Sequence, residues 1–233
     1  MALPRVFLPF ALLVVLMLTV GRLGPCESRA EQTEVLDTHQ IERTQALNRG
    51  GDPAPEPIRW RKSAAVGLPY AGRLKRGVRL PSEDAGYFTW DPVRKTTPNR
   101  WWRRYGTDRL VRTLLDVLGE FQDAHPDAPR VGIGDLSRPG GGDFGPRFGP
   151  PGHASHQNGL DVDVYYPRLD RRERAPLRSA QIDRPLAQEL VDRFVDVGAQ
   201  FVFVGPRTGL RGPRRLVQAI PYHDNHLHVR LRP

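Results

Sequence analysis

The sequence predicts an α+β domain, with a central antiparallel sheet, flanking helices and long loops. Three observations point to it. Two segments carry apolar residues at helical spacing, four short segments read as strands, and glycine and proline contribute 23 residues each. Helices and strands alternate without a regular β–α–β rhythm, which suits antiparallel pairing.

The elements follow in chain order. Arg5 precedes the apolar run 7–20, the pattern of a signal peptide, and the run is short for a membrane span. We therefore expect residues 1–26 to be an export signal, with an uncleaved anchor as the alternative. Leu23-Gly-Pro-Cys26 has the outline of a lipoprotein cleavage box, with Pro25 where a small residue is wanted, so a lipid on Cys26 is a second route to the membrane. Residues 27–57 are polar, poor in aromatics and end in Gly-Gly-Asp-Pro-Ala-Pro-Glu-Pro, a flexible linker that cannot bury enough apolar surface to order itself. The folded domain is expected over 58–233. Its first helix spans 107–124, with Leu110, Val111, Leu114, Leu115, Leu118 and Phe121 on one face. The second follows Asp183 as cap and Pro185 in the first turn, carries Leu186, Leu190, Val191 and Phe194 as its stripe, and stops at Gly198. Strands are expected at 130–136, 160–165, 200–204 and 227–231.

Composition narrows the chemistry. Lys+Arg is 35 against 26 for Asp+Glu, a net charge of +9, and only Lys62, Lys75 and Lys95 are lysines. Two readings of this arginine excess stay open, attraction to a polyanion and a genome rich in arginine codons. No basic block is interleaved with aromatics, so nucleic acid is not expected as a partner. Cys26 is the single cysteine, which excludes an intramolecular disulfide and a thiolate-rich metal site. A bound metal must then be held by nitrogen and oxygen.

Five of the seven histidines fall in two short segments, Gly152-His-Ala-Ser-His-Gln-Asn-Gly-Leu-Asp-Val-Asp163 and His223-Asp-Asn-His-Leu-His228. Side chains alternate faces along a strand, so His226 and His228 project together, as do Asp161 and Asp163. A turn at Gly159 brings His156 back over the strand that begins at Leu160. His156, Asp163 and His228 can then converge as three ligands of one zinc ion and leave its fourth position for water, the mark of a catalytic site. Such a water ionises near neutral pH, and His226 stands on the same face as a base to take its proton. His153, His223 and Asp161 are candidates for orienting the ligands.

Other features read more plainly. No Gly-x-Ser-x-Gly elbow surrounds Ser155, and no Lys-Ser/Thr follows Gly140-Gly-Gly142 to make a phosphate loop. Arg138, beside that glycine run, could grip a substrate carboxylate or simply face water. Trp101 and Trp102 are expected as core anchors, and His39 and His125 as incidental.

Ser155-His156-x-x-Gly159-x-x-x-Asp163 followed by His226-x-His228 resembles the zinc signature shared by lysostaphin, the D-Ala-D-Ala metallopeptidases and the hedgehog signalling domain. More narrowly, the chain resembles the penicillin-insensitive murein endopeptidases. It does so at 152–163, at His-Asp-x-His-x-His-Val-Arg (223–230) and at Asp135-Leu-Ser-Arg-Pro-Gly-Gly-Gly142, with shorter matches at 63–67, 72–74, 77–81 and 99–101. The resemblance implies zinc ligands at His156, Asp163 and His228, a catalytic role for His226, and His153 and His223 close by. It implies hydrolysis of the D-alanyl–diaminopimelyl cross-link in peptidoglycan outside the cytoplasm, by a route that beta-lactams do not block because no serine is acylated. The Ser-His dipeptide departs from the D-Ala-D-Ala peptidases, which have a residue between the two, and this argues against a DD-carboxypeptidase. A non-catalytic zinc-bearing wall-binding module is the alternative from another class; His226 beside an open zinc position argues for the enzyme.

Overall fold

The computed structural model describes residues 57–233. The expected signal segment with Cys26, the linker up to residue 56 and His39 lie outside the described residues. Among those residues the chain forms strands β1 (Ala64–Leu68), β2 (Ala71–Lys75), β3 (Val78–Arg79), β4 (Glu83–Asp84), β5 (Tyr87–Thr89) and β6 (Tyr105–Gly106), then helix α1 (Asp108–Ala124). There follow β7 (Val131–Ile133), β8 (Asp161–Tyr165), helix α2 (Arg184–Asp196), β9 (Phe201–Val204), β10 (Val217–Ala219) and β11 (His226–Arg230). The fold is α+β, with few helices. No helix among the described residues is long and apolar enough to cross a membrane.

Both helices begin where their caps dictate. The Thr107 hydroxyl accepts the Leu110 N–H at 3.1 Å, and Asp183 accepts the Leu186 N–H at 3.3 Å, so each side chain satisfies an otherwise orphaned backbone donor. Leu110, Val111, Leu114, Val117, Leu118 and Phe121 of α1 are buried, as are Ala187, Leu190, Val191 and Phe194 of α2. Gly198, at φ +80°, closes the second helix in a conformation that costs glycine little.

Seven strands form one sheet in the order β10-β9-β11-β8-β7-β5-β4. The pairs β4–β5, β7–β8, β8–β11 and β9–β11 are antiparallel, while β5–β7 and β9–β10 are parallel. The sheet is therefore mixed, where the sequence predicts antiparallel pairing throughout. The reason lies in the connections: α1 lies between β5 and β7 in the chain, a crossover of the kind parallel neighbours require. Val162, Val164, Val202, Leu227 and Val229 join the helical stripes in one core, so one face of the sheet is apolar and covered. Two small two-stranded sheets, the hairpin β1–β2 and the pair β3–β6, complete the fold.

Candidate metal centre

The other face of the central sheet is polar because register makes it so. Strands β8 and β11 pair His226 with Tyr165, His228 with Asp163 and Arg230 with Asp161. Directly opposed residues share a face, so these six side chains form a row, and Val162, Val164, Leu227 and Val229 are turned to the core. His156 reaches the row from the loop before β8. Gly159 turns that loop at φ +76°, and a Cβ there would lie 2.7 Å from Leu74 Cδ1, so glycine alone fits. His156 itself sits at φ +65°, an uncommon conformation for a side-chain-bearing residue, held by its N–H on Asp161 Oδ2 at 3.0 Å.

The hydrogen bonds around the row decide which ring nitrogen faces inward. Carbonyl and carboxylate oxygens only accept, so the ring nitrogens that meet them must donate. His156 gives its Nδ1–H to the Leu136 carbonyl at 2.5 Å, and His228 gives its Nε2–H to Asp161 Oδ1 at 3.1 Å. In the neutral rings His156 Nε2 and His228 Nδ1 thus carry the lone pairs, and they lie 3.2 Å apart. Asp163 Oδ1 stands 3.3 Å from the first and 3.2 Å from the second. It is buried and takes no hydrogen bond. Three acceptors crowded in a buried space repel one another unless something positive lies between them, either a proton or a metal cation. Imidazole nitrogen and carboxylate oxygen are good metal donors, so the cluster is compatible with a bound ion.

Charge follows the same geometry. Burial lowers the proton affinity of His156, while at His228 burial is outweighed by Asp161 and Asp163, which raise the pKa to about 9. Burial would raise the Asp163 carboxyl, yet the facing His156 and His226 rings hold it well below the ordinary range. Asp161 is likewise held low, against burial, by His228 and Arg230; the Arg230 Nε–H bonds its Oδ1 at 2.6 Å. Asp161 therefore orients a ring and a loop without entering the acceptor cluster.

Residues 65–201 match the model of the penicillin-insensitive murein endopeptidase family. The chain belongs to that family. It is 32% identical over 111 residues to the penicillin-insensitive murein endopeptidase of Haemophilus influenzae, which covers 48% of this chain and 34% of the relative. It is 48% identical over 61 residues to that of Escherichia coli O157:H7, covering 26% of this chain and 19% of the relative. The chain thus spans about a third or less of the length of these relatives.

Three further histidines, His153, His223 and His226, surround the cluster. His153 gives its Nε2–H to Asp135 Oδ2 at 2.7 Å and turns Nδ1 toward Asp163 Oδ2, 3.8 Å away. Donor atoms of His153, His156 and Asp163 all lie within 4.8 Å of one another, so His153 borders the same space. Burial lowers its proton affinity, but Asp135 and Asp163 outweigh that and raise it. His226 bonds Asn225 Oδ1 through Nδ1 at 2.7 Å and brings Nε2 to 3.6 Å from Asp163 Oδ1. Burial, with His223 and His228 nearby, drops its pKa to about 3. His223 lies against His226, ring centroids 4.7 Å apart, and donates Nδ1–H to the Pro221 carbonyl at 2.7 Å.

Sequence reading gathered these rings but passed over what steadies them. Asp135 is fully buried and meets Asn99 Nδ2 at 2.9 Å, Arg103 through two nitrogens, and His153. Its carboxyl would be raised by burial and is instead held far below the ordinary range, chiefly by Arg103. Tyr165 was also missed, although it alternates with Asp161 and Asp163 and so had to share their face. Arg138 places its guanidinium 4.1 Å over the Phe148 ring and donates to the Asp143 carbonyl at 2.9 Å. Trp102 is buried against Phe144 and Phe148, an anchor as expected, while Trp101 is only partly buried beside it.

Proposed function

We propose that this chain is an exported, zinc-dependent murein DD-endopeptidase that hydrolyses D-alanyl–diaminopimelyl cross-links in peptidoglycan. Residues 1–26 act as the signal, 27–57 as the linker and 58–233 as the metallopeptidase domain. One observation carries the reading: His156 Nε2, Asp163 Oδ1 and His228 Nδ1 stand 3.2 to 3.3 Å apart, while the other nitrogen of each ring is committed outward. Zinc ligands at about 2.0–2.1 Å in a tetrahedron are separated by about 3.3–3.4 Å, so the spacing suits zinc. When bound, zinc polarises the amide carbonyl and brings the pKa of a water to about 7.

The chain's own residues do the rest. Leu136 and Asp161 fix the tautomers of His156 and His228, keeping both lone pairs inward. His226, whose Nε2 lies 3.6 Å from Asp163 Oδ1, takes a proton from the attacking water at that nitrogen as oxygen bonds to the amide carbon. It passes that proton to the amine as the C–N bond breaks. His153 and His223 flank the reacting atoms. Arg138, seated on Phe148 at the rim, grips a carboxylate of the stem peptide. No serine is acylated, so beta-lactams have no target.

The full chain should release monomeric muropeptides from cross-linked sacculi, with EDTA abolishing release and penicillin leaving it unchanged. Mass spectrometry of the products identifies the bond. Trimming of terminal D-alanine alone would make it a carboxypeptidase, and sacculus binding without turnover would make it a wall-binding module.

A further inference from the structure

Arg103 closes the one-turn helix Trp101–Arg103 and is 1% exposed, so its guanidinium must find its partners inside the protein. Those partners belong to different parts of the site. Nε and Nη2 fork onto the two oxygens of Asp135, which also accepts the Nε2–H of His153 at 2.7 Å. Nη1 donates to the Phe148 carbonyl at 2.5 Å, and the Phe148 ring is the seat of Arg138. The guanidinium lies 4.8 Å over the ring of Phe144, a residue whose carbonyl accepts the His153 N–H at 2.8 Å. The Arg103 carbonyl accepts the Leu136 N–H at 2.9 Å, and the Leu136 carbonyl in turn fixes His156. The neighbouring buried arginine, Arg100, instead grips Asp91 at 2.6 Å.

We propose that Arg103 is a positioning residue, which holds His153 and the seat of Arg138 in one fixed frame. The inference rests on the peptidase reading above and adds a residue to it. Arg103 touches no reacting atom; it acts on turnover through Asp135 and His153, and on the grip of substrate through Phe148 and Arg138. A planar guanidinium serves the carboxylate and the carbonyl at once, with both angles set by its own plane. A lysine ammonium is a compact point charge and cannot reproduce that fork.

Arg103→Lys in the full chain keeps the buried charge and loses the fork. On a cross-linked muropeptide we expect kcat to fall by about 100-fold, as misplacement of a reacting group does, and KM to rise by about tenfold, the size of one charge-assisted contact. The two losses should separate. In a His153→Gln background Arg103→Lys should lower kcat no further, and in an Arg138→Gln background it should raise KM no further, because the partner is already gone. Arg100→Lys, which alters a similarly buried pair, should leave both constants near wild type. Losses that add in full in both backgrounds, or that Arg100→Lys reproduces, overturn the proposal. Should Arg103→Lys not fold, Asp135→Asn breaks the fork from its other side: a fall in kcat with KM spared supports the proposal, and wild-type kcat overturns it. Should the wild type prove inert toward every cross-linked muropeptide, the hydrolytic reading fails, and ¹⁵N-histidine spectra decide. His153 signals that shift in Arg103→Lys and stay fixed in Arg100→Lys retain Arg103 as a positioning residue, and signals fixed in both remove it.

Discussion

At the scale of residues, the site is a problem of too many acceptors. Asp163 Oδ1 faces one nitrogen of each of two rings whose other nitrogens donate outward, to Leu136 and Asp161. Asp161 does this for His228, so Asp161→Asn should weaken metal binding by about 10- to 100-fold, read by chelator competition. An intact ladder of affinity in that variant would place the ion elsewhere. The pH dependence has a definite sign. With its pKa raised to about 9, His228 is protonated through the neutral range, and an incoming cation must displace that proton. Affinity should therefore rise as pH increases from 6 to 8, by about tenfold per unit for the one proton released; calorimetry in buffers of different ionisation enthalpy counts that proton.

At the scale of elements, β8 and β11 put the chemistry in place, and their alternation is what the sequence displays openly. Asp161, Asp163, His226 and His228 were legible as same-face residues because a strand has a period of two. The two helices were legible because each apolar stripe runs over several turns, the second with Asp183 as its cap. Strands β3, β4 and β6 were not, since two residues carry no periodicity. Asp135 escaped for a different reason: its partners Arg103 and His153 lie 32 and 18 residues away, and no local spacing reports such contacts. Gly134, the residue after β7, is wedged between Asp163 and Tyr165 of β8. Gly134→Ala should force β7 from β8, lowering stability by about 1–3 kcal/mol as overpacking does, measured from the urea midpoint. Activity should fall further than that loss explains, because both site residues move. A variant with wild-type midpoint and turnover would mean that the two strands have slack.

At the scale of the whole molecule, a mixed sheet with helices on its apolar face leaves the other face polar, and the Asp135–Arg103 pair is buried. Removing one partner strands a buried charge, so Arg103→Ala should cost about 3–5 kcal/mol. The pair also sets the acid limit. The Asp135 carboxyl is held far below its ordinary range in the folded protein, so its contribution is complete above the unfolded value near 4 and drains away as pH falls below it. Thermal midpoints should drop steeply below that pH in the wild type and less steeply in Arg103→Met. The most direct test of the metal centre is X-ray absorption on the zinc-loaded full chain, with His228→Ala beside it. The account predicts one zinc per chain, with two imidazole nitrogens and a carboxylate oxygen at about 2.0–2.1 Å, and loss of the ion in the variant. A zinc shell without those ligands, or one that survives unchanged in His228→Ala, would contradict it.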